Sequence, residues 1–518
     1  MRSLSMWLLA ILVCGFSFPK AAAQCPARPV PGTVVSDPFS LSSQKGVLSA
    51  QLVVARSVDS FGYTHYCYKY DNSGQTIEAP TFRLNPGDQL ALNVLNRIVD
   101  GGAMKMGMPP ESGPVCGDGG DMTVDSTNVH FHGLNVPPIC HQDDVIHTLI
   151  QPGSPGFKYD VQIPLNEPPG LYWYHPHVHG FAEFQVNGGA AGALIVEGME
   201  KYRPEVTGLT ERVFVIRQQY LVPWIPGPYQ LTVNYQTTSL LGPKPIVQMK
   251  PGEKQFWRVA NATNQDFLLL QVPVNGVPQP LEVIALDGYP LVKTRNQKVI
   301  LVPPAGRAEF IVQGPPAGGS ATFETSAYST GPTGNPDIQQ TLATVQLTGN
   351  GGVSAPAKPP APGAAGNLKF ANLAAQPVTA QRKIFFSEEF GGTNGPIQFY
   401  VTVEGQKQKV FESNEKPVIV TKVGAVEDWV VENRALETHA FHIHQIHFRV
   451  MEVDGKPVTD DDLRDTIEIP FWDGKGPFHS AKLRMDFRDP TTAGTFVFHC
   501  HILLHEDLGM MHKVEVDP

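Results

Sequence analysis

The sequence predicts an all-β protein built from three successive β-sandwiches, and three observations carry that expectation. Across 518 residues, 49 Gly and 47 Pro separate short runs rich in β-branched and aromatic residues, the composition of many strands joined by tight turns. The length exceeds one ordinary domain and suits about three. An internal repeat agrees with both. Gly87 and Asn96 bracket a unit in NPGDQLALNVLNR, Gly252 and Asn261 one in KPGEKQFWRVANAT, and Gly424 and Asn433 one in KVGAVEDWVVENR. Each spacing is 9 residues, and the units start 165 and 172 residues apart. Each reads as a Gly turn followed by an alternating strand, as with Phe256, Arg258 and Ala260 on one face and Trp257 and Val259 on the other. Three copies at domain-sized intervals point to three related units.

The elements follow in chain order. Residues 1–23 read as a signal peptide: Arg2, an apolar run from Met6 to Phe18, then Ala21-Ala22-Ala23, the small-residue pattern of a cleavage site. The run is too short to span a bilayer, so the mature chain is expected to be exported, periplasmic or secreted, with no membrane span. Residues 24–44 form an N-terminal arm, and the first domain (24–200 with its arm) closes at the strand GALIVEG. A second domain covers 201–350. The nearly uncharged Pro/Ala/Gly-rich stretch GNGGVSAPAKPPAPGAAGNL marks a linker at 351–367, and the third domain covers 368–518. The net charge of −10 and pI near 5.9 speak against nucleic acid or anionic membrane as partners.

Five cysteines remain after cleavage: Cys25, Cys67, Cys116, Cys140 and Cys500. In an oxidising compartment four can close two bridges. Cys25 with Cys67 and Cys116 with Cys140 is one of three pairings, and the sequence does not choose among them. Cys500 is left over, and metal ligation would explain it.

Histidine placement points to function. None of the 17 histidines lies between His179 and His439, so the middle domain has none. The first domain carries His130-Phe-His132-Gly and His175-Pro-His177-Val-His179-Gly. The third carries His439-Ala-Phe-His442-Ile-His444 and His499-Cys500-His501, followed by His505 and Met510. In a strand, residues i and i+2 share a face, so each His-x-His presents two imidazoles side by side. Four such pairs, 130/132, 175/177, 442/444 and 499/501, can enclose about three metal ions if the two domains face each other. Imidazole suits copper, zinc or iron.

Cys500 selects among these metals. If FVFHCH is extended, His499 and His501 point one way and Cys500 the other. His439, three residues before His442, likewise faces away from 442 and 444. Two imidazoles (His439 and His505), a thiolate and the thioether of Met510 match the ligand description of a blue-copper electron-transfer site. An electron arriving there has a short covalent route through Cys500 to its histidine neighbours. One such copper and three clustered ones store four electrons, the number that takes dioxygen to two waters. His141, His147, His179, His447 and His512 exceed the ligand count and read as supporting or surface residues. His65 and His479 lie outside the clusters, and Trp173 and Tyr174 read as core aromatics.

At these residues the chain resembles the three-domain multicopper oxidases, the family of laccases, bilirubin oxidases and bacterial periplasmic copper oxidases. The likeness runs from about residue 45 to the end, through VNGGAAGALIVEG, LEVIALDGYPL and the motifs NVHFHGL, YWYHPHVHG, HAFHIHQIH and HCHILLHEDLGMM. It implies three cupredoxin-like Greek-key sandwiches and four copper ions. A type 1 copper would fall to His439, Cys500 and His505 with Met510 axial, and a type 2 copper to His130 and His442. A pair of type 3 coppers would fall to His132, His175, His177, His444, His499 and His501. Ala440 stands where the family usually has Pro and Gln445 where it often has Gly, departures expected to alter the loop near the type 1 site. The resemblance also implies proton-supplying carboxylates: Glu506 after the last type 1 histidine, and either Asp143 or Asp144 after the first His-x-His.

The implied partners are dioxygen and a small reductant, with the protein acting as a monomer. Phenols or aromatic amines are the expected reductants, as in a laccase. A metal ion such as Cu(I) is second, with Met104, Met106 and Met108 as candidate soft ligands and Met122 beyond them. Copper storage alone would not require a cysteine bridging two classes of site.

Overall fold

The computed structural model describes residues 24–59, 62–99, 115–219, 230–349, 368–391, 397–459 and 461–518. The expected signal peptide, the 351–367 linker and the Met104–Met108 segment lie outside the described residues. Of the described residues 49% are strand and 6% helix, an all-β protein as expected.

Each sandwich draws its strands from one stretch of chain. In the first, a sheet of Ser40–Ser42, Thr81–Leu84, Gly192–Val196, Gly170–His175 and His130–His132 packs on one of Phe157–Gln162, Gln89–Asn96, Val47–Val58, Thr64–Asn72 and Gln75–Glu78. Leu52, Leu92 and Tyr159 meet Phe82, Tyr172 and Leu194 in the core between them. Two seven-stranded sheets with strands from 230–347 and the preceding Thr210–Gln219 form the second, around Trp257 and Phe323. The third pairs a seven-stranded with a five-stranded sheet around Trp429 and Phe498. The segment expected as an arm contributes the strand Ser40–Ser42, so part of it belongs to the first sandwich.

The repeat has a structural counterpart. Residues 89–96, 255–262 and 427–433 each run parallel to the first strand, in chain order, of their own sheet, at 47–54, 210–217 and 380–386. Gly87, Gly252 and Gly424 all have positive φ, at +91°, +72° and +93°, and no side chain other than that of Leu165 crowds a Cβ at any of the three. The left-handed turn is therefore the reason for glycine. At the far end of each strand a buried Asn ties down the following loops. Asn96 donates to the carbonyls of Asp125 and Ile150, Asn261 to those of Asp266 and Val302, and Asn433 to those of Glu437, Ile469 and Pro470.

The alternation expected in Lys254–Ala262 is present, but both faces are buried. Trp257 and Val259 fill the core of their own sandwich. Ala260 and Ala262, with Ala191 and Ala193, let the second sandwich close against Trp173 and Leu171 of the first. A second contact joins the third sandwich to the first. The Asp507 carboxylate accepts the N–H groups of Ala182 and Glu183 at 3.0 and 2.9 Å, capping the helix Ala182–Gly188 where its free donors need an acceptor. This docks the third sandwich on the first beside the histidines.

Candidate metal centre

Strand pairing sets the histidines in rows. In the first sandwich His175 lies opposite His130 and Trp173 opposite His132. In the third, His442 lies opposite His499 and Phe441 opposite Cys500. Alternation then sends 442, 444, 499 and 501 to one side and His439 with Cys500 to the other. The two rows interdigitate between the sandwiches. His130 stacks on His444 and His132 on His442, with ring centres 3.9 and 4.0 Å apart, and Trp173 stacks on His175 at 4.2 Å.

Among the described residues, donor atoms converge within 4.8 Å in His132, His175 and His501, in His177, His444 and His499, and in His130 and His442 with His132. All eight imidazoles are buried to within 1%. Burial first, and neighbouring imidazoles after it, hold His132, His175, His177, His444 and His501 well below the ordinary histidine range and lower His499 to about 3. Burial thus favours the neutral, lone-pair-bearing form of these six rings. Hydrogen bonds aim several of them. Nδ1 of His175, His442 and His499 meets the backbone oxygen of Pro176, Asp465 and Cys500 at 2.8, 2.9 and 3.1 Å, which turns each Nε2 toward the centre. Nε2 of His130, His175 and His442 and both ring nitrogens of His132 and His501 have no hydrogen-bond partner. Buried orphan nitrogens converging on one space are costly unless a cation takes them, so these residues fit bound metal.

The second set stands behind the first. Sγ of Cys500 lies 3.5 Å from Nδ1 of His439 and 3.8 Å from Nδ1 of His505, which are 3.3 Å from each other. Cys500 is a free, buried thiol, raised far above the ordinary cysteine range by burial. Met510 is buried in the same apolar cluster, and its carbonyl accepts the Cys500 N–H. The other four cysteines form the bridges Cys25–Cys67 and Cys116–Cys140.

The carboxylates separate clearly. Both oxygens of Asp143 lie 3.0 Å from His130 Nδ1, and one accepts the Phe131 N–H. Asp144 turns instead to His147. Glu506 faces His177 and His499 at 3.4 and 3.2 Å, and burial, with Asp507 beside it, holds its carboxyl well above the usual range. His447 is buried, 2.7 Å from the carbonyl of Asp287, while His141 is exposed. The side chain of Gln445 does not reach toward Cys500: it crosses to Asp143, so its influence falls on the histidine cage and not on the type 1 loop where it was expected.

Several site residues carry no signal in the sequence. Arg307 of the second sandwich grips Asp465 with two hydrogen bonds, at 2.8 and 2.5 Å, and Asp465 stands 3.4 Å from His132 Nε2. The histidine-free sandwich thus supports the cage through a charge pair. Gly133, at φ +87°, makes room for it, since a Cβ there would collide with both Arg307 and Asp465. Glu388 and Glu437 lie 3.4 and 3.5 Å from the outer nitrogens of His439 and His505, and Phe399 stacks on His505 at 4.0 Å. Burial and the adjacent Glu388 push the Glu437 carboxyl up to about 8. Apart from Gly133, which lies in the motif NVHFHGL, no local motif marks any of these, because each gains its role from a contact made across the fold.

Models of the family described as "Multicopper oxidase" match residues 120–201 and 391–518, and those two stretches contain every histidine and cysteine of the sets above. A multicopper oxidase of Staphylococcus aureus is 24% identical over 456 residues, covering 84% of this chain and 81% of its own. A laccase of Bacillus subtilis is 24% identical over 430 residues, covering 76% and 80%. Among solved structures, a Campylobacter jejuni multicopper oxidase described as a metallo-oxidase shares the fold with a TM-score of 0.70 and 24% identity, over 95% of this chain and 96% of that one. The multicopper oxidase McoA of Aquifex aeolicus does so with a TM-score of 0.69 and 18% identity, over 94% and 99%.

Proposed function

This chain belongs to the multicopper oxidase family, and on that premise we propose that it couples one-electron oxidation of a small reductant to four-electron reduction of dioxygen to water. The observation that carries the reading is Cys500, whose thiol stands in one donor set while its neighbours His499 and His501 stand in two others. His439, Cys500, His505 and Met510 would hold a type 1 copper. His130 and His442 would hold a type 2 copper, and the triads 132/175/501 and 177/444/499 a type 3 ion each, four in all. Bound there, copper would take electrons singly at the thiolate and pass them to dioxygen at the cage.

The chain's own residues do the rest. The backbone from Cys500 to His499 and His501 supplies a covalent route between the sets. Burial of all eight imidazoles keeps bulk water from the cage. Asp143 fixes the ring of His130 so that Nε2 faces inward. Glu506, against His177 and His499, is placed to hold a proton where oxygen is reduced. Asp144, turned away, has no part. Both halves of the cage come from one chain, so no second copy is needed and we read the protein as a monomer. The two disulfides support export to an oxidising compartment, and among the described residues no helix is long and apolar enough to cross a membrane.

The outer nitrogens of His439 and His505 mark the side on which electrons would enter. Phenols or aromatic amines remain the expected reductants there. Glu388 and Glu437 favour a second reading. Their oxygens stand against both imidazoles, the side chain of Glu388 is 2% exposed, and its Oε1 accepts no hydrogen bond. Oxygen donors suit a metal cation harder than Cu(I), and the Campylobacter jejuni relative is described as a metallo-oxidase. The copper-loaded protein is expected to hold four ions, show intense blue absorption and consume oxygen with a phenol. Absence of uptake with phenol, Fe(II) and Cu(I) alike would sink the proposal. If a metal ion is the reductant, Glu388→Gln and Glu437→Gln raise KM for Fe(II) about tenfold and shift phenol KM far less.

A further inference from the structure

Gln445 occupies a backbone conformation that a long side chain rarely adopts. Its φ is +58°, in the left-handed region where glycine is at ease and other residues are strained. It is also buried, at 3% exposure. A strained polar residue inside the protein needs a contact to hold it there, and Gln445 has one. Its Nε2 donates to Oδ2 of Asp143 at 2.6 Å, across 302 residues of chain and from the third sandwich to the first.

That contact closes a ring of residues. Asp143 holds His130 by Nδ1. His130 stacks on His444 at 3.9 Å, with an interplanar angle of 11°. His444 precedes Gln445 in the chain. His130, Asp143 and His444 also converge as a donor group. The one side-chain bond across the sandwich boundary in this ring is the one Gln445 makes. Without it, Asp143 would keep the Phe131 N–H and His130 Nδ1 but lose the donor that comes to its Oδ2 from the third sandwich.

We infer that Gln445 is a positioning residue for the type 2 copper: its amide locks Asp143, and through it the His130 ring, at a fixed distance from the type 3 ligand His444. The inference rests on the assignment of His130 and His442 to that copper. Gln445 stands outside the converging donor groups and is no catalytic residue. Its carbonyl oxygen, Oε1, is buried without a partner, the mark of a side chain oriented for what its amide donates.

The strain makes the test discriminating, because Gln445→Gly relieves the backbone while removing the amide. Copper-loaded wild type, Gln445→Gly and Gln445→Asn are compared by electron paramagnetic resonance during titration with a chelator. The blue absorption of the type 1 copper serves as an internal reference. The Asn variant tolerates the same φ but is too short to reach Asp143. Both variants are expected to keep the blue band, to show a changed type 2 hyperfine splitting, and to release the type 2 ion at about tenfold lower chelator concentration. The copper-free Gly variant should melt at or above the wild-type temperature. An unchanged type 2 signal with wild-type retention in both variants would overturn the inference. Absence of any type 2 signal in the wild type would overturn the copper assignment instead.

Discussion

Cys500 is the residue on which the two halves of the chemistry meet, and a one-atom change there separates them. In Cys500→Ser, sulfur is replaced by a hydroxyl that neither ionises at neutral pH nor binds copper as a soft ligand. The neighbouring His499 keeps its strand and its partner His442, and His501, just past the strand end, keeps its N–H bond to the Ala440 carbonyl. The variant is therefore expected to lose the blue band and fall to background oxygen uptake while retaining about three coppers, as metal analysis and absorption spectra will show. Wild-type turnover in this variant would rule out the thiolate route. At this scale the sequence is most informative. Alternation along a strand places His-Cys-His on two faces whatever the rest of the fold does, so the donor sets separate on strand parity alone. Parity does not choose between Asp143 and Asp144. The two are adjacent in a turn, and only its path, with the Asp143 N–H bonded to Pro137 and the Asp144 carboxylate to the His147 N–H, aims one carboxylate at His130 and the other away.

The repeated strand carries a buried Asn near its end in all three sandwiches, and only two of the three carry the proposed metal ligands nearby. That asymmetry yields a prediction. Asn433→Ala removes donors to three carbonyls and the acceptor of the Ala435 N–H at a fully buried position. Unsatisfied buried groups cost about 1–3 kcal/mol each, less where water or a shifted loop relieves them, so a loss of about 2–4 kcal/mol is expected. The loop released here leads into His439, so the type 1 absorption should shift as well. Asn261→Ala, in the sandwich without ligands, should cost a similar amount and leave the spectrum unchanged. Chemical denaturation and visible spectra of the two variants check both statements, and an equal spectral effect would show that the loop does not hold His439. The repeat is legible as Gly and Asn nine residues apart, since a left-handed turn and a loop-tying amide each demand a residue type. Arg307, Asp465 and Gln445 carry no such signal. Arg307 and Asp465 are 158 residues apart, and nothing in a window of sequence distinguishes them from surface charges.

The whole molecule stores opposing sets of displaced protonation equilibria, and together they set its pH dependence when copper is absent. Among the described residues eleven histidines are lowered, chiefly by burial. Nine carboxyls are raised, again chiefly by burial, among them Glu167 at about 7, Glu437 and Asp507 at about 8 and Asp337 at about 9. Below about pH 6.5 an unfolded histidine takes a proton that its folded counterpart refuses, so stability falls as pH drops from there toward 3 or 4. The raised carboxyls act in the other sense. The fold holds protons that the unfolded chain releases above about pH 4.5, and their contribution is lost as pH climbs through 7 to 9. Between pH 4.5 and 6.5 the more numerous histidines prevail. Above pH 7 they no longer titrate and the carboxyls prevail. The copper-free protein should therefore be most stable between about pH 6 and 7, with each net proton changing stability by about 1.4 kcal/mol per pH unit on either side. Thermal melting from pH 4 to 9 in a chelating buffer measures this. A plateau across that range, or a rise in melting temperature from pH 7 to 9, would mean that the cage histidines and the buried acids do not keep in solution the protonation that their burial dictates.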